Sequence, residues 1–343
     1  MRQMLNCLYV TTQGSYLARD GEAVAVRVEG ETKLRVPIHN LGGIVCFGQV
    51  SCSPPLLALC GERQVQVSFL SEYGRFWARV EGPVSGNVLL RREQFRAADD
   101  AARTAEIARC VVLAKVANSR MVLMRSARDG AGQKSPEALD LAAHWLAGIL
   151  ERGARCRNTD SLRGFEGDAA RTYFGVFDHM IGDVGEEFRF RERSRRPPLD
   201  RVNALLSFLY TLLVHDATSA LEACGLDPAV GFLHSDRPGR MSLALDLMEE
   251  FRAPLVDRLA LTLINRRQVN ADGFRVTASG AVEMTAETRK EVLTAWQKRK
   301  LEEVVHPFME ERMPAGMLVH AQAMLLARHL RGDLDAYPAM IWK

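Results

Sequence analysis

Apolar and polar positions alternate in short runs near 5–10, 15–19, 22–28, 31–36, 42–47, 65–70 and 75–81. The runs are rich in Val, Tyr, Phe and Ile and are punctuated by Gly and Asp-Gly, the pattern of β-strands joined by tight turns. SPPLLALCGER (53–63) departs from it and reads as a short helix opened by proline. GPVSGN (82–87), with two glycines, a proline and a serine, marks a linker. From 89 onward apolar residues recur three and four apart. That spacing predicts helices near 89–127, 135–152, 160–180, 199–223, 242–270, 285–304 and 314–331. GFRVTASGAVEM (273–284) interrupts them with two β-like runs around Ser-Gly, a small two-stranded insertion. The pattern therefore predicts an α+β chain. A small, sandwich-like β-rich domain over 1–81 is followed by a linker over 82–88 and a larger, all-α domain over 89–343.

Composition narrows the class without naming it. The chain has 343 residues, 47% hydrophobic and 25% charged, as in soluble globular proteins. It holds no apolar run of about 18 residues of the kind that crosses a bilayer. The start, MRQMLNCLYVTTQGSYL, runs straight into strand-like sequence, so no signal peptide is read there. Seven cysteines (7, 46, 52, 60, 110, 156, 224) are scattered, with no CxxC pair, and read as thiols in a reducing cytoplasm. The net charge of +3 does not by itself mark a nucleic-acid binder. No Walker loop, GxGxxG in a strand–helix context, HExxH or GxSxG is present, which removes the main support for several enzyme classes.

Charges out of place in apolar runs carry the candidate chemistry. Glu166 lies in RGFEGDAARTYF, His234 in GFLHSDRPGR, and Asp246 and Glu249 in SLALDLMEEFR. A buried charge is costly unless it is paired or bound to a metal. One imidazole with carboxylates suits Mg²⁺ or Mn²⁺ better than zinc. Ser242 reads as a helix cap, which places Asp246, Glu249 and Glu250 at i, i+3 and i+4 on one face. Gly164 and Gly167 flank Glu166 and would permit close approach of a backbone or ligand. Each residue also has a plainer reading. The acids would form a solvated helix face, His234 would make a satisfied hydrogen bond, and Glu166 would pair with Arg163 or Arg171.

Basic residues cluster twice. Residues 189–196, inside the loop 186–198, carry Arg189, Arg191, Arg193, Arg195 and Arg196 against one glutamate, a net charge of +4. Arginine forks suit phosphate, and the interleaved Phe188 and Phe190 would be able to stack on a base. WQKRK (296–300) adds Lys298, Arg299 and Lys300, either a solvated helix face or a phosphate contact. Arg237 and Arg240 flank His234 and would lie nearest a reacting phosphate. Arg252 is placed to pair with Glu249.

The run LDRVNALLSFLYTLLVHDATSALEACGLDPAVGFLHSDRPGRMSLALDLMEEFRAPLVDRL (199–259) resembles the core of the CRISPR-associated adaptation endonuclease and integrase, Cas protein one. FEG at 165–167 resembles that family's first metal-ligand motif, and the tail HPFMEERMPAGMLVHAQAMLLARHLRGDLDAYPAMIWK resembles the type I-C branch. The resemblance implies a helical catalytic domain in which Glu166, His234 and Glu249 bind one Mg²⁺ or Mn²⁺, with Asp246 one turn earlier. The family commonly has aspartate where this chain has Glu249. The resemblance further implies metal-dependent cleavage of DNA and insertion of spacers into a CRISPR array by 3′-hydroxyl attack. It also implies a homodimer formed through the β domain, Cas protein two as partner, and Cas protein four beside it in type I-C systems. A non-catalytic DNA-binding scaffold on the same fold is the alternative, and a small-phosphate hydrolase a weaker one.

Overall fold

The structure is a computed structural model and describes residues 6–74, 76–80, 82, 88–129 and 134–342. The chain divides into two compact units, Met1–Gly86 and Asn87–Lys343. The expected linker lies outside the described residues apart from Gly82 and Val88.

The first unit runs β1 (Asn6–Val10), β2 (Tyr16–Asp20), β3 (Ala23–Val28), β4 (Glu31–Pro37), β5 (Leu41–Phe47), β6 (Ser51–Cys52), α1 (Pro54–Glu62), β7 (Gln66–Leu70) and β8 (Phe76–Val80). One sheet has the order β1-β5-β7-β8, with β8 antiparallel to its parallel neighbours. The other has the order β4-β3-β2-β6. Glu29 and Gly30 both take positive φ between β3 and β4, the turn conformation that matches strand twist. α1 is opened by Ser53, whose hydroxyl oxygen accepts from Leu56 N, with Pro54 in the first turn. Leu17, Val24 and Val26 of one sheet, Ile44, Cys46 and Val67 of the other, and Leu56 and Leu59 of α1 share one buried core.

The second unit contains α2 (Val88–Asp99), α3 (Ala101–Asp129), α4 (Pro136–Ala154), α5 (Thr159–Gly175), α6 (Arg201–Ala223), α7 (Ser242–Glu249), α8 (Arg258–Asn265), β9 (Phe274–Val276), β10 (Val282–Met284), α9 (Ala286–Leu301), β11 (Glu303–Val305), β12 (Arg312–Pro314) and α10 (Ala315–Leu330). The helix expected over 89–127 is two helices. Asp100 breaks it because its Oδ1 accepts from Ala102 N (2.9 Å) and Arg103 N (3.1 Å), starting α3 afresh. The helix expected over 242–270 is also interrupted. Pro254 has no N–H for the helical ladder, and Arg252–Asp257 form a π-helical turn between α7 and α8. The unit is not purely helical: besides the β9–β10 hairpin it carries a second ribbon, β11–β12.

α6 is long and apolar enough, by length and composition, to cross a membrane, but 61% of its apolar window is buried inside the protein. It packs against α7 and α10 as a core helix. α3 packs along α5 and also against α7, so these helices bring three sequence-distant segments together.

Candidate metal centre

α7 starts beneath the Pro228 carbonyl, which accepts from Leu243 N (2.9 Å) and Ala244 N (3.2 Å). Ser242 is therefore not the expected cap. Its hydroxyl donates to the Ser235 carbonyl (3.2 Å) and draws in the loop that carries His234. That loop wraps around Asp246. Oδ2 accepts from the backbone N–H of Phe232 (2.6 Å) and Leu233 (2.9 Å), and Oδ1 from that of His234 (2.9 Å). Oδ1 also lies 2.6 Å from His234 Nδ1. Gly231 permits this closeness, since a Cβ there would sit 2.8 Å from Ser242 Cβ and 2.9 Å from Asp246 Oδ2. Asp246 is 1% exposed, yet every bond a buried carboxylate needs is supplied.

These contacts set Asp246 apart from Glu166 and Glu249. Both of its oxygens are engaged, so it stands behind His234 rather than facing the site. The contact from Asp246 to Nδ1 orients the ring, with Nε2 on the side of Glu249. Nε2 lies 4.0 Å from Glu249 Oε1. Arg163 steadies the same loop from α5, donating through Nε to the Leu233 carbonyl (2.7 Å).

Glu249, 2% exposed, stands one turn after Asp246. Arg252 Nη1 approaches its Oε1 at 3.2 Å, and Lys115 Nζ approaches its Oε2 at 2.7 Å. Burial works to raise this carboxyl, but Arg252, Lys115 and His234 outweigh it and hold the pKa at about 2. The Lys115 contact is close enough for an ion pair but poorly aligned for a hydrogen bond, so Oε2 is buried without a directed donor. Lys115 also pairs with Glu166 Oε1. Glu166 thus meets neither plainer expectation: Arg163 pairs with Asp160 and Arg171 with Asp168. Cβ atoms built on Gly164 and Gly167 meet nothing within 4 Å, so these glycines leave open space beside Glu166 instead of admitting a packed backbone.

Lys115 was missed in the sequence, although it is a lone charge in VVLAKVAN and open to the same argument as Glu166. Its ammonium holds the place between the two glutamates. Among the described residues no group of three His, Cys, Asp or Glu donors is close enough to hold a metal. The donor chemistry nonetheless fits a hard divalent ion, with two carboxylates, one imidazole nitrogen and one buried oxygen lacking a directed partner.

Glu250 does not share the face of Asp246 and Glu249. It turns into a buried network closed by the chain's tail. Its Oε1 accepts from Tyr337 OH (2.6 Å), and its Oε2 from Gln322 Nε2 (2.9 Å) and Met340 N (2.6 Å). Asn118, one turn after Lys115 on α3, donates to the carbonyls of Glu250 (2.7 Å) and Met340 (2.8 Å) and accepts from Trp342 N (2.7 Å). Burial raises the Glu250 carboxyl to about 7 against the pull of those three donors.

The basic clusters divide. Arg189, Arg191, Arg195 and Arg196 are exposed. Arg193 turns inward to Asn203 (2.5 Å) and Ser207 (3.1 Å) and lies over the Tyr210 ring. Phe188 and Phe190 are buried, packed on Phe274 and on Phe174 and Phe177, so neither is placed to stack on a base. Arg191, Arg193 and Arg195 join Arg171, Ala170 and Phe174 around a cavity of about 290 Å³. In the second cluster Trp296 is buried, Lys300 pairs with Asp216 (2.9 Å), and Arg299 donates to the Pro254 carbonyl (3.0 Å). Only Lys298 of that cluster is exposed. Arg237 is exposed and Arg240 half-buried, on the loop that follows His234.

Lys115 thus pairs with both Glu166 and Glu249, while the His234 imidazole stands 4.0 Å from the other oxygen of Glu249. The chain belongs to the CRISPR-associated Cas1 family: the model described as CRISPR associated protein Cas1 matches residues 8–298. A "CRISPR-associated endonuclease Cas1 1" of Chlorobaculum tepidum is 54% identical over 343 residues, covering 100% of both chains. A "CRISPR-associated exonuclease Cas4/endonuclease Cas1 fusion" of Rhodospirillum rubrum is 34% identical over 334 residues, 96% of this chain and 57% of that protein. A CAS1 protein from Thermotoga maritima has the same fold, with a TM-score of 0.83 at 25% identity over 95% of this chain and 97% of that one.

Proposed function

We propose that this chain is a metal-dependent DNA endonuclease and integrase that inserts new spacers into a CRISPR array. Glu166, Glu249 and His234 Nε2 would hold its Mg²⁺ or Mn²⁺. The observation that carries the reading is the convergence, in a Cas1-family chain, of Glu166 and Glu249 on the Lys115 ammonium, with the imidazole of His234 4.0 Å from Glu249. Bound there, a divalent ion supplies Lewis-acid polarisation of a phosphate oxygen. The protein's own residues do the rest. Asp246 orients His234, Arg252 fixes Glu249, and the open surface beside Gly164 and Gly167 admits the strand. Arg237 and Arg240 bring positive charge to the reacting phosphate. Arg189, Arg191, Arg195, Arg196 and Lys298 are the outward-facing cations for the rest of the DNA backbone, whereas Arg193, Arg299 and Lys300 serve the fold.

The partners follow the same reading: DNA, a second copy of the chain through the β-rich unit, and Cas2 between dimers in the cytoplasm. A Cas4 partner is supported by the fused relative. A type I-C setting is supported by the tail sequence. The test is strand transfer and cleavage on a labelled branched DNA, with Mn²⁺ or with EDTA, in the wild type and Glu166→Ala. Metal-dependent product lost in the variant is expected. DNA binding without product in either protein would reduce the chain to a scaffold, a reading favoured by the charge neutralisation that Lys115 already provides.

A further inference from the structure

Lys115 rises from an apolar stretch of α3 among Val111, Val112, Ala114 and Val116, all buried. Its side chain is 11% exposed. A buried ammonium needs partners, and both of its partners are carboxylates of the candidate centre. Each carboxylate of the site already has its partners. Lys115 and Arg252 answer Glu166 and Glu249, while backbone N–H groups and His234 answer Asp246. A divalent ion entering between Glu166 and Glu249 with both cations in place would leave excess positive charge there, so one cation must give way. Arg252 is ill suited to leave: it sits over the Tyr210 ring, 4.9 Å from the centroid, with its guanidinium on Oε1. Lys115 is suited, being a point charge on a flexible four-carbon stem. Its contact with Glu249 Oε2 is an ion pair without a directed hydrogen bond.

We infer that Lys115 is a positioning residue that holds Glu166 and Glu249 together in the metal-free protein and competes with the divalent ion for the place between them. The inference rests on the proposed ligand roles of Glu166 and Glu249. Metal loading is then an exchange of one cation for another. The displaced ammonium remains within a side chain's reach of whatever phosphate the site receives.

The test is Mn²⁺ binding, followed by the electron paramagnetic resonance of free Mn²⁺, together with thermal melting with and without Mn²⁺. The proteins are wild type, Lys115→Met, Lys115→Arg and Glu166→Ala. Lys115→Met is expected to bind Mn²⁺ at least tenfold more tightly than wild type, to melt lower without metal and to gain more on its addition. Lys115→Arg retains the charge on a stiffer group and is expected to fold and to bind Mn²⁺ at least tenfold more weakly than Lys115→Met. That variant decides the question even if the methionine protein is unstable, because Mn²⁺ binding tighter than wild type in the arginine protein overturns the competition. Equal Mn²⁺ binding by wild type, Met and Arg variants also overturns it, while leaving the ligand assignment standing. Mn²⁺ binding unchanged by Glu166→Ala, or absent throughout, removes the ligand assignment and the inference together.

Discussion

Replacing Asp246 with asparagine separates a residue that orients the site from one that binds the metal. The Asp246 carboxylate accepts from three backbone N–H groups and meets His234 Nδ1, two contacts to each oxygen. An amide can keep only one oxygen. Turned toward Phe232 and Leu233 its NH₂ confronts two backbone donors; turned the other way it confronts the His234 N–H and forces the ring to change tautomer, so one or two charge-assisted bonds are lost at a position that is 1% exposed. Each such bond is worth about 1.5–3 kcal/mol, so the metal-free protein should lose about 1.5–6 kcal/mol. For a unit of this size that lowers the melting temperature by roughly 3–24 °C. Thermal and urea unfolding in EDTA measure it, with Mn²⁺ binding recorded in parallel. A melting temperature within about 2 °C of wild type, with Mn²⁺ binding abolished, would show that Asp246 contacts the metal directly and would refute the arrangement described.

Glu250→Gln should change the pH dependence of stability. An acid whose pKa is raised on folding costs nothing below its ordinary value of 4.5, then destabilises increasingly until pH passes about 7. Across that window this group should take about 3 kcal/mol from the wild type that the glutamine variant keeps, measurable by urea unfolding at pH 4.5 and 7.5. Arg191→Ala and Arg195→Ala should each lower the salt slope of DNA binding by about 1, whatever the sequence. Arg193→Ala should leave that slope unchanged and lower the melting temperature, because its guanidinium bonds within the protein. Lys300→Ala strands the half-buried Asp216 and should cost about 3 kcal/mol with no change in the salt slope.

The strands of the β-rich unit and most of the helices were legible because their periods are regular and their cores apolar. The breaks were harder. Asp100 and Pro254 each divide a run whose apolar spacing continues across them. β11 and β12 are three residues each, too short for a period to register. In the site, the i and i+3 spacing correctly placed Asp246 and Glu249 on one face. It had no means of showing that loop 231–235 would fold back over Asp246 and spend both of its oxygens. The same limit applies to WQKRK. Which of three adjacent cations faces inward depends on where Trp296 packs, and that is set by elements remote in the chain. Lys115 was readable in principle, as a single charge among valines, but its partners lie 51 and 134 positions away.

Those separations matter during synthesis. A ribosome completes Lys115, Glu166, His234 and Glu249 well before it reaches Tyr337 and Met340, the residues that close around Glu250 and pin Asn118. Until then the helix carrying Lys115 and the turn carrying Glu249 lack the buried brace between them. The proposed ligands thus exist early and are held in register late. A chain that cleaves DNA should therefore be one in which Tyr337 and Met340 have already docked on Glu250, and one cut short before them should be inert even with every ligand present.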